Sequence, residues 1–103
     1  MTKDRRILLG QEFRALGIKN VYFQPPKTVM LRYPCVIYRL DNIDKTNADD
    51  KAYVTTNRYL VTYVTEDPDD EMIFELIKHF QMISWSGSFT SDNLNHYNYN
   101  LYF

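Results

Sequence analysis

Polar and apolar positions alternate most regularly near the end of the chain, where Tyr97, Tyr99, Leu101 and Phe103 fall on one side of an extended backbone and Asn98, Asn100 and Tyr102 on the other. Period two is the mark of a half-buried strand. Before it, Ser84-Trp85-Ser86-Gly87-Ser88-Phe89-Thr90 is a second strand, and Ser91-Asp92-Asn93 is the turn that joins the two. Near the start the spacing changes. Leu9, Phe13 and Leu16 recur at helical intervals with Arg5, Glu12 and Arg14 off the stripe, and Gly17-Ile18 follows as a glycine cap with its hydrophobic clasp. This predicts a helix over residues 2–16. Gly10, in its middle, costs about 1 kcal/mol relative to alanine, so the helix depends on docking for its stability.

Between these ends, Val21-Tyr22-Phe23-Gln24 is a short apolar segment stopped by Pro25-Pro26, which predicts an edge strand or extended arm. Pro34 opens the strand Cys35-Val36-Ile37-Tyr38-Arg39-Leu40, rich in β-branched and aromatic residues, and its predicted partner runs from Tyr53 to Val64, containing Tyr59-Leu60-Val61-Thr62-Tyr63-Val64. The connection between them, over residues 41–51, is polar, rich in turn formers and longer than an ordinary hairpin needs, which predicts a long exposed loop that is functional or disordered. Asp67-Pro68-Asp69-Asp70-Glu71 then has the residues of a helix start: an acceptor at the N-cap, proline at the first helical position and carboxylates through the first turn. The helix it opens carries Ile73, Leu76, Ile77 and Phe80 as its apolar stripe, with Lys78 and His79 at the favourable end for cations. The order predicts one α+β domain over residues 1–103: a mainly antiparallel β-sheet, two α-helices packed on one face and a long β-hairpin loop.

At 103 residues the chain has a thin core. Its nine tyrosines suit surfaces that are apolar in body and polar at the tip, such as sheet faces and interfaces. A formal net charge of −1 lacks the electrostatic footprint of a free nucleic-acid binder, and near-neutral chains associate readily. The single cysteine, Cys35, leaves no intrachain disulfide and no cysteine zinc cage. The positive start is followed by only Ile7, Leu8 and Leu9, too short for a signal segment, and no stretch approaches the ~20 apolar residues of a membrane span. The expectation is a soluble protein made in a cytoplasm.

Catalytic chemistry finds little footing. Ser88, Ser91, Asp92 and His96 contain the types of a hydrolytic triad, but Ser91-Asp92-Asn93 is accounted for by turn chemistry. Cys35 sits in an apolar strand, where a thiol is inert packing, and His79 and His96 lie on different elements without carboxylates at ligand spacing. Asp41, Asp44, Asp49 and Asp50 cluster without the central glycine and terminal glutamate of a calcium loop. Arg5, Arg6 and Arg14 make a small basic face that a salt-bridged helix surface explains equally well. No catalytic, cofactor-binding or metal-binding residue is assigned, and no enzyme activity or cofactor is expected.

The arrangement resembles the tail terminator proteins of long-tailed bacteriophages, related to minor tail and tail-completion proteins. The resemblance lies in the N-terminal helix, the strand opening at Tyr33-Pro34-Cys35-Val36-Ile37-Tyr38, the long loop before Tyr59-Leu60-Val61-Thr62-Tyr63-Val64, the acidic start Asp69-Asp70-Glu71 and the closing Phe89-Thr90-Ser91-Asp92-Asn93-Leu94 with its tyrosine-rich strand. It implies a virion protein, assembled in the host cytoplasm, that forms a homohexameric ring on the finished tail tube. Such a ring ends tube polymerisation and joins tail to head. The implied partners are further copies of the chain, the tail tube protein and a head-tail connector or stopper. Genomic DNA would pass through the ring without sequence-specific binding, and no membrane is involved. A connector or stopper of the same neck is the near alternative, and a small nucleic-acid or regulatory binding module the distant one. The hairpin residues Asp41, Asp44, Lys45, Asp49, Asp50, Lys51 and Arg58 are the expected contacts with neighbouring subunits or partners.

Overall fold

The computed structural model describes residues 2–47 and 53–103, with side chains over 4–45 and 55–103. In chain order the elements are α1 (Thr2–Ala15), β1 (Asn20–Phe23), β2 (Cys35–Asn47), β3 (Tyr53–Thr65), α2 (Met72–His79), β4 (Ile83–Ser91) and β5 (Leu94–Tyr102). The strands form one sheet in the order β1-β2-β3-β5-β4. β1 runs parallel to β2 and every other pair is antiparallel, so the fold is α+β with a mixed sheet.

Both helices lie on the sheet face carried by Val36 and Tyr38 of β2, Tyr59 and Val61 of β3, and Tyr99 and Leu101 of β5. Leu9 and Phe13 of α1 meet Ile73 and Leu76 of α2 and Phe80 there. Phe13 is the pivot, edge-on to Tyr38 at 5.2 Å and to Phe80 at 5.5 Å between ring centroids. Such pairs add about 0.5–1.5 kcal/mol to the burial of the rings themselves. The alternation read at the end of the chain is realised in β5, whose Tyr99 and Leu101 are buried.

The first helix stops where the sequence indicates. Gly17 adopts φ +106°, Ile18 N–H donates to the Phe13 carbonyl at 3.3 Å, and Gly17 N–H donates to the Arg14 carbonyl at 3.0 Å. These are the two bonds of a Schellman cap, closed by burial of Ile18 against the core that holds Phe13. Gly10 turns out to have a packing reason. A Cβ there would stand 2.8 Å from the Tyr38 hydroxyl, which donates to the Arg6 carbonyl at 2.7 Å and fastens the helix to β2.

Three expectations need correction. The second helix begins at Met72, not at the proline: residues 67–70 form a turn closed by Asp70 N–H donating to the Asp67 carbonyl at 3.3 Å. Asp67 accepts from Asp69 N–H at 2.9 Å, an Asx turn outside the helix. Asp70 is the organising carboxylate, accepting from the Tyr63 hydroxyl at 2.7 Å, from Thr65 at 3.0 Å and from Met72 N–H at 3.0 Å. Second, Ile77 is 41% exposed, because the helix turns Ile73 and Leu76, flanked by Met72 and by Phe80 just beyond its end, onto the sheet. Third, residues 41–47 are not loop. They continue β2 in register with β3, from Asn42 opposite Arg58 to Asn47 opposite Tyr53, so the connection shrinks to 48–52, outside the described residues. The β-prone Val54, Thr55 and Thr56 on the partner strand supply the preference that the polar strand lacks.

Candidate assembly surface

The features that stand clear of the core are a two-stranded ribbon and the open edge of the sheet. β5 pairs with β3 only from Arg58 to Thr65, and β1 pairs with β2 only from Cys35 to Tyr38. The rungs Ile43–Asn57, Asp44–Thr56, Lys45–Thr55, Thr46–Val54 and Asn47–Tyr53 therefore have no third strand among the described residues. At strand rise they extend about 17 Å. They contribute to an elongated molecule of 52 × 29 × 24 Å. A two-stranded ribbon is marginal by itself.

Its base is pinned electrostatically. Asp41 is the extra residue of a β-bulge between Leu40 and Asn42. Its carboxylate accepts from Arg58 Nε at 3.1 Å, lies 2.8 Å from the second guanidinium nitrogen and is 3.8 Å from Arg39. Hydrogen bonding to Asp41, and then to Tyr102, raises the Arg58 pKa above its usual value. Asp41 and Arg58, expected to meet partners, are thus brought together to hold the ribbon's angle. Asp44 accepts from Asn42 Nδ2 at 2.8 Å farther out, and Lys45 lies opposite Thr55. Asp49, Asp50 and Lys51 lie outside the described residues.

The other groups with chemistry in them are dispersed. Cys35 is buried, and burial pushes its thiol up to about 11, away from thiolate reactivity. His96 is stacked on Phe89 at 4.4 Å with Nδ1 3.2 Å from the Leu94 carbonyl oxygen. Ser91 ends β4, and Asp92 and Asn93, at φ 54° and 64°, make the two-residue turn into β5. Among the described residues, no three His, Cys, Asp or Glu side chains are grouped to hold a metal ion. Comparison with protein-family models, with curated proteins and with solved structures finds no match to this chain.

The basic face on α1 is divided by aromatic contacts. The Arg5 guanidinium lies 4.2 Å above the Phe103 ring and its Nε donates to the Phe103 carbonyl at 3.4 Å, while Arg6 lies 4.6 Å above Phe23. Between the helices, His79 Nε2 and Glu12 Oε1 are 2.7 Å apart at the wall of a shallow cleft of ≈ 380 Å³ that also includes Arg5 and Phe103. Sequence spacing gave no sign of the Glu12–His79 bridge, because its partners are 67 positions apart.

The open edge was also missed. β4 ends the sheet on the side opposite β1 and presents Ser84, Trp85, Ser86, Ser88, Phe89 and Thr90 largely exposed, without a charge or a proline in the strand. Natural edges are usually guarded by one or the other. The signal was present in the uncharged run of residues 83–91, but it has meaning only once β4 is known to be terminal.

Proposed function

We propose that this chain is a tail terminator of a long-tailed bacteriophage: a structural virion subunit whose ring caps the tail tube, ends its growth and offers the surface to which the head is joined. The observation that carries the reading is the projecting ribbon. A subunit with a small core, built around one sheet, carries about 17 Å of paired strand from which no described side chain enters the apolar core. That is the form of an arm made to lie on a neighbour.

The resemblance in the order and character of the elements supports the same reading, as does the sheet face opposite the helices. That face carries Ile37, Leu60, Thr62, Asn98 and Asn100 at intermediate burial, and Thr62 donates to Asn98 at 2.7 Å. None of these five side chains is charged, and depletion of charge marks the centre of interfaces. The role needs no reaction and no cofactor.

Electron microscopy of the purified protein, alone and mixed with tail tubes, tests the proposal. Rings of six seated on tube ends are the expected result, and tubes that then stop lengthening when tube protein is added complete it. Binding only to the head-side vertex would assign the chain to the connector or stopper of the neck. Failure to bind either would remove the virion reading.

A further inference from the structure

The two ends of the sheet are finished differently. β1 is four residues long, runs into Pro25-Pro26 and has Gln24 folded back on β2, with its side-chain oxygen accepting from Leu40 N–H at 3.1 Å. That edge is closed. β4 offers nine residues without lysine, proline or any charge, and carries exposed aromatics on both of its faces, Trp85 at 49% and Phe89 at 53%. The ribbon has the converse deficiency: beyond Leu40 the outer side of β2 has no strand beside it among the described residues, and Ile43, 50% exposed, is an apolar side chain left half uncovered. β2 and β4 cannot meet within one subunit, because β3 and β5 stand between them.

From this we infer that β4 is a strand-addition site for a second copy of the same chain, and that the strand added is the outer side of the neighbour's ribbon, residues 41–47. The pairing satisfies both open edges at once. It places Ile43 of one copy on the face of one of the two exposed aromatics of the next, the kind of cross-strand pair that stabilises sheets, and it brings the ribbon's charged residues to a strand that has none to repel them. The contact is head-to-tail, since the ribbon edge and β4 are different surfaces, so repetition closes a ring or runs on as a filament. It deepens the ring reading above by naming the ring's contact, but β4 and the ribbon are open whatever the ring does.

The test combines charge insertion with mixed cross-linking. Ser84 and Ser88 are exposed on opposite faces of β4, and Ser84→Lys with Ser88→Lys guards the edge without touching the core. Sedimentation should show the association constant falling by about tenfold or more, with the thermal midpoint unchanged. Cys35 is buried, so single introduced cysteines report cleanly. A mixture of Ser88→Cys and Asp44→Cys proteins should form the mixed disulfide faster than either protein links to itself. Faster linkage of Ser88→Cys to itself would overturn the proposal in favour of β4 pairing with β4. Unchanged association of the double lysine variant, or a parent chain that does not associate together with cysteine variants that do not cross-link at about millimolar concentration, would overturn it outright. The two readings separate cleanly. Edge-dependent association by a protein that never seats on tubes removes the terminator and keeps the contact, whereas double-lysine rings that still cap tubes do the reverse.

Discussion

The β2–β3 hairpin is two structures in one. Its lower half, from Cys35 to Leu40 against Tyr59 to Val64, lies inside a five-stranded sheet and supplies Val36, Tyr38, Tyr59, Val61 and Tyr63 to the core. Its upper half, from the Ile43–Asn57 rung outward, has the same backbone pairing and no third strand among the described residues. Hydrogen bonding is alike in the two halves, so the difference is burial. The comparison separates residues that make the fold from residues that the fold merely carries outward, and substitutions should divide along that line.

The largest loss is expected at Phe13, where truncation to alanine removes the ring that joins α1, β2 and the end of α2; about 3–5 kcal/mol should disappear from the unfolding free energy in urea. Asp70→Ala should follow with about 2–3 kcal/mol, because it leaves the buried Tyr63 hydroxyl without its acceptor and also releases Thr65 and Met72. Asp67→Ala, in contrast, should stay within about 0.5 kcal/mol. Equal losses at the two aspartates would refute the reassignment of the helix start. Gly10→Ala should destabilise by on the order of 1 kcal/mol despite alanine's better helix propensity, through contact with the Tyr38 hydroxyl. In a Tyr38→Phe background the same change should become neutral or favourable, which a double-mutant cycle would show.

The base also holds the groups that alkali attacks. Burial raises the pKa of Tyr63, Tyr99, Tyr38 and Tyr59 and moves Cys35 from 9.0 to about 11. An acid whose folded pKa is raised leaves stability untouched below the unfolded pKa and withdraws it as pH climbs toward the folded one, since the unfolded chain ionises first. The melting temperature should therefore hold steady through neutral pH and fall from about pH 9 upward. The smallest effect on stability is expected from the ribbon. Replacing residues 43–56 by a two-residue turn should leave unfolding within about 0.5 kcal/mol, with the same alkaline limb, while abolishing self-association. A truncated protein that melts much earlier would show that the ribbon belongs to the fold after all.

Much of the base was legible in sequence. Gly17-Ile18 marks the end of α1, the alternation through Leu101 gives β5 its buried face, and Ser91-Asp92-Asn93 gives the tight turn, because each of these is decided by residues close in the chain. Residues 41–47 favour loop in isolation, because Asp41, Asn42, Asp44 and Asn47 disfavour strand; pairing with residues 53–58, which the sequence does predict as strand, overrides that preference. The start of α2 lies later than its local residues indicate for a related reason. Asp67 has every local mark of a cap, but Tyr63 and Thr65 fix Asp70 from the sheet, and the helix begins where that anchorage allows. Of the seven residues assigned to assembly, Asp41 and Arg58 are engaged with each other at the ribbon's base, a pairing that their separation of 17 positions concealed.

The bulge at Asp41 also constrains how this protein can change over generations. Because one residue is left out of the pairing there, inward and outward positions exchange parity, so Ile43 comes to the side that Leu40 faced. Lengthening the arm by equal, even numbers of residues on its two strands would preserve that assignment and merely extend its reach. A single-residue insertion or deletion above the bulge would turn every later side chain of one strand over. Length variation among descendants of this chain should accordingly come in matched pairs, with odd changes confined to the tip.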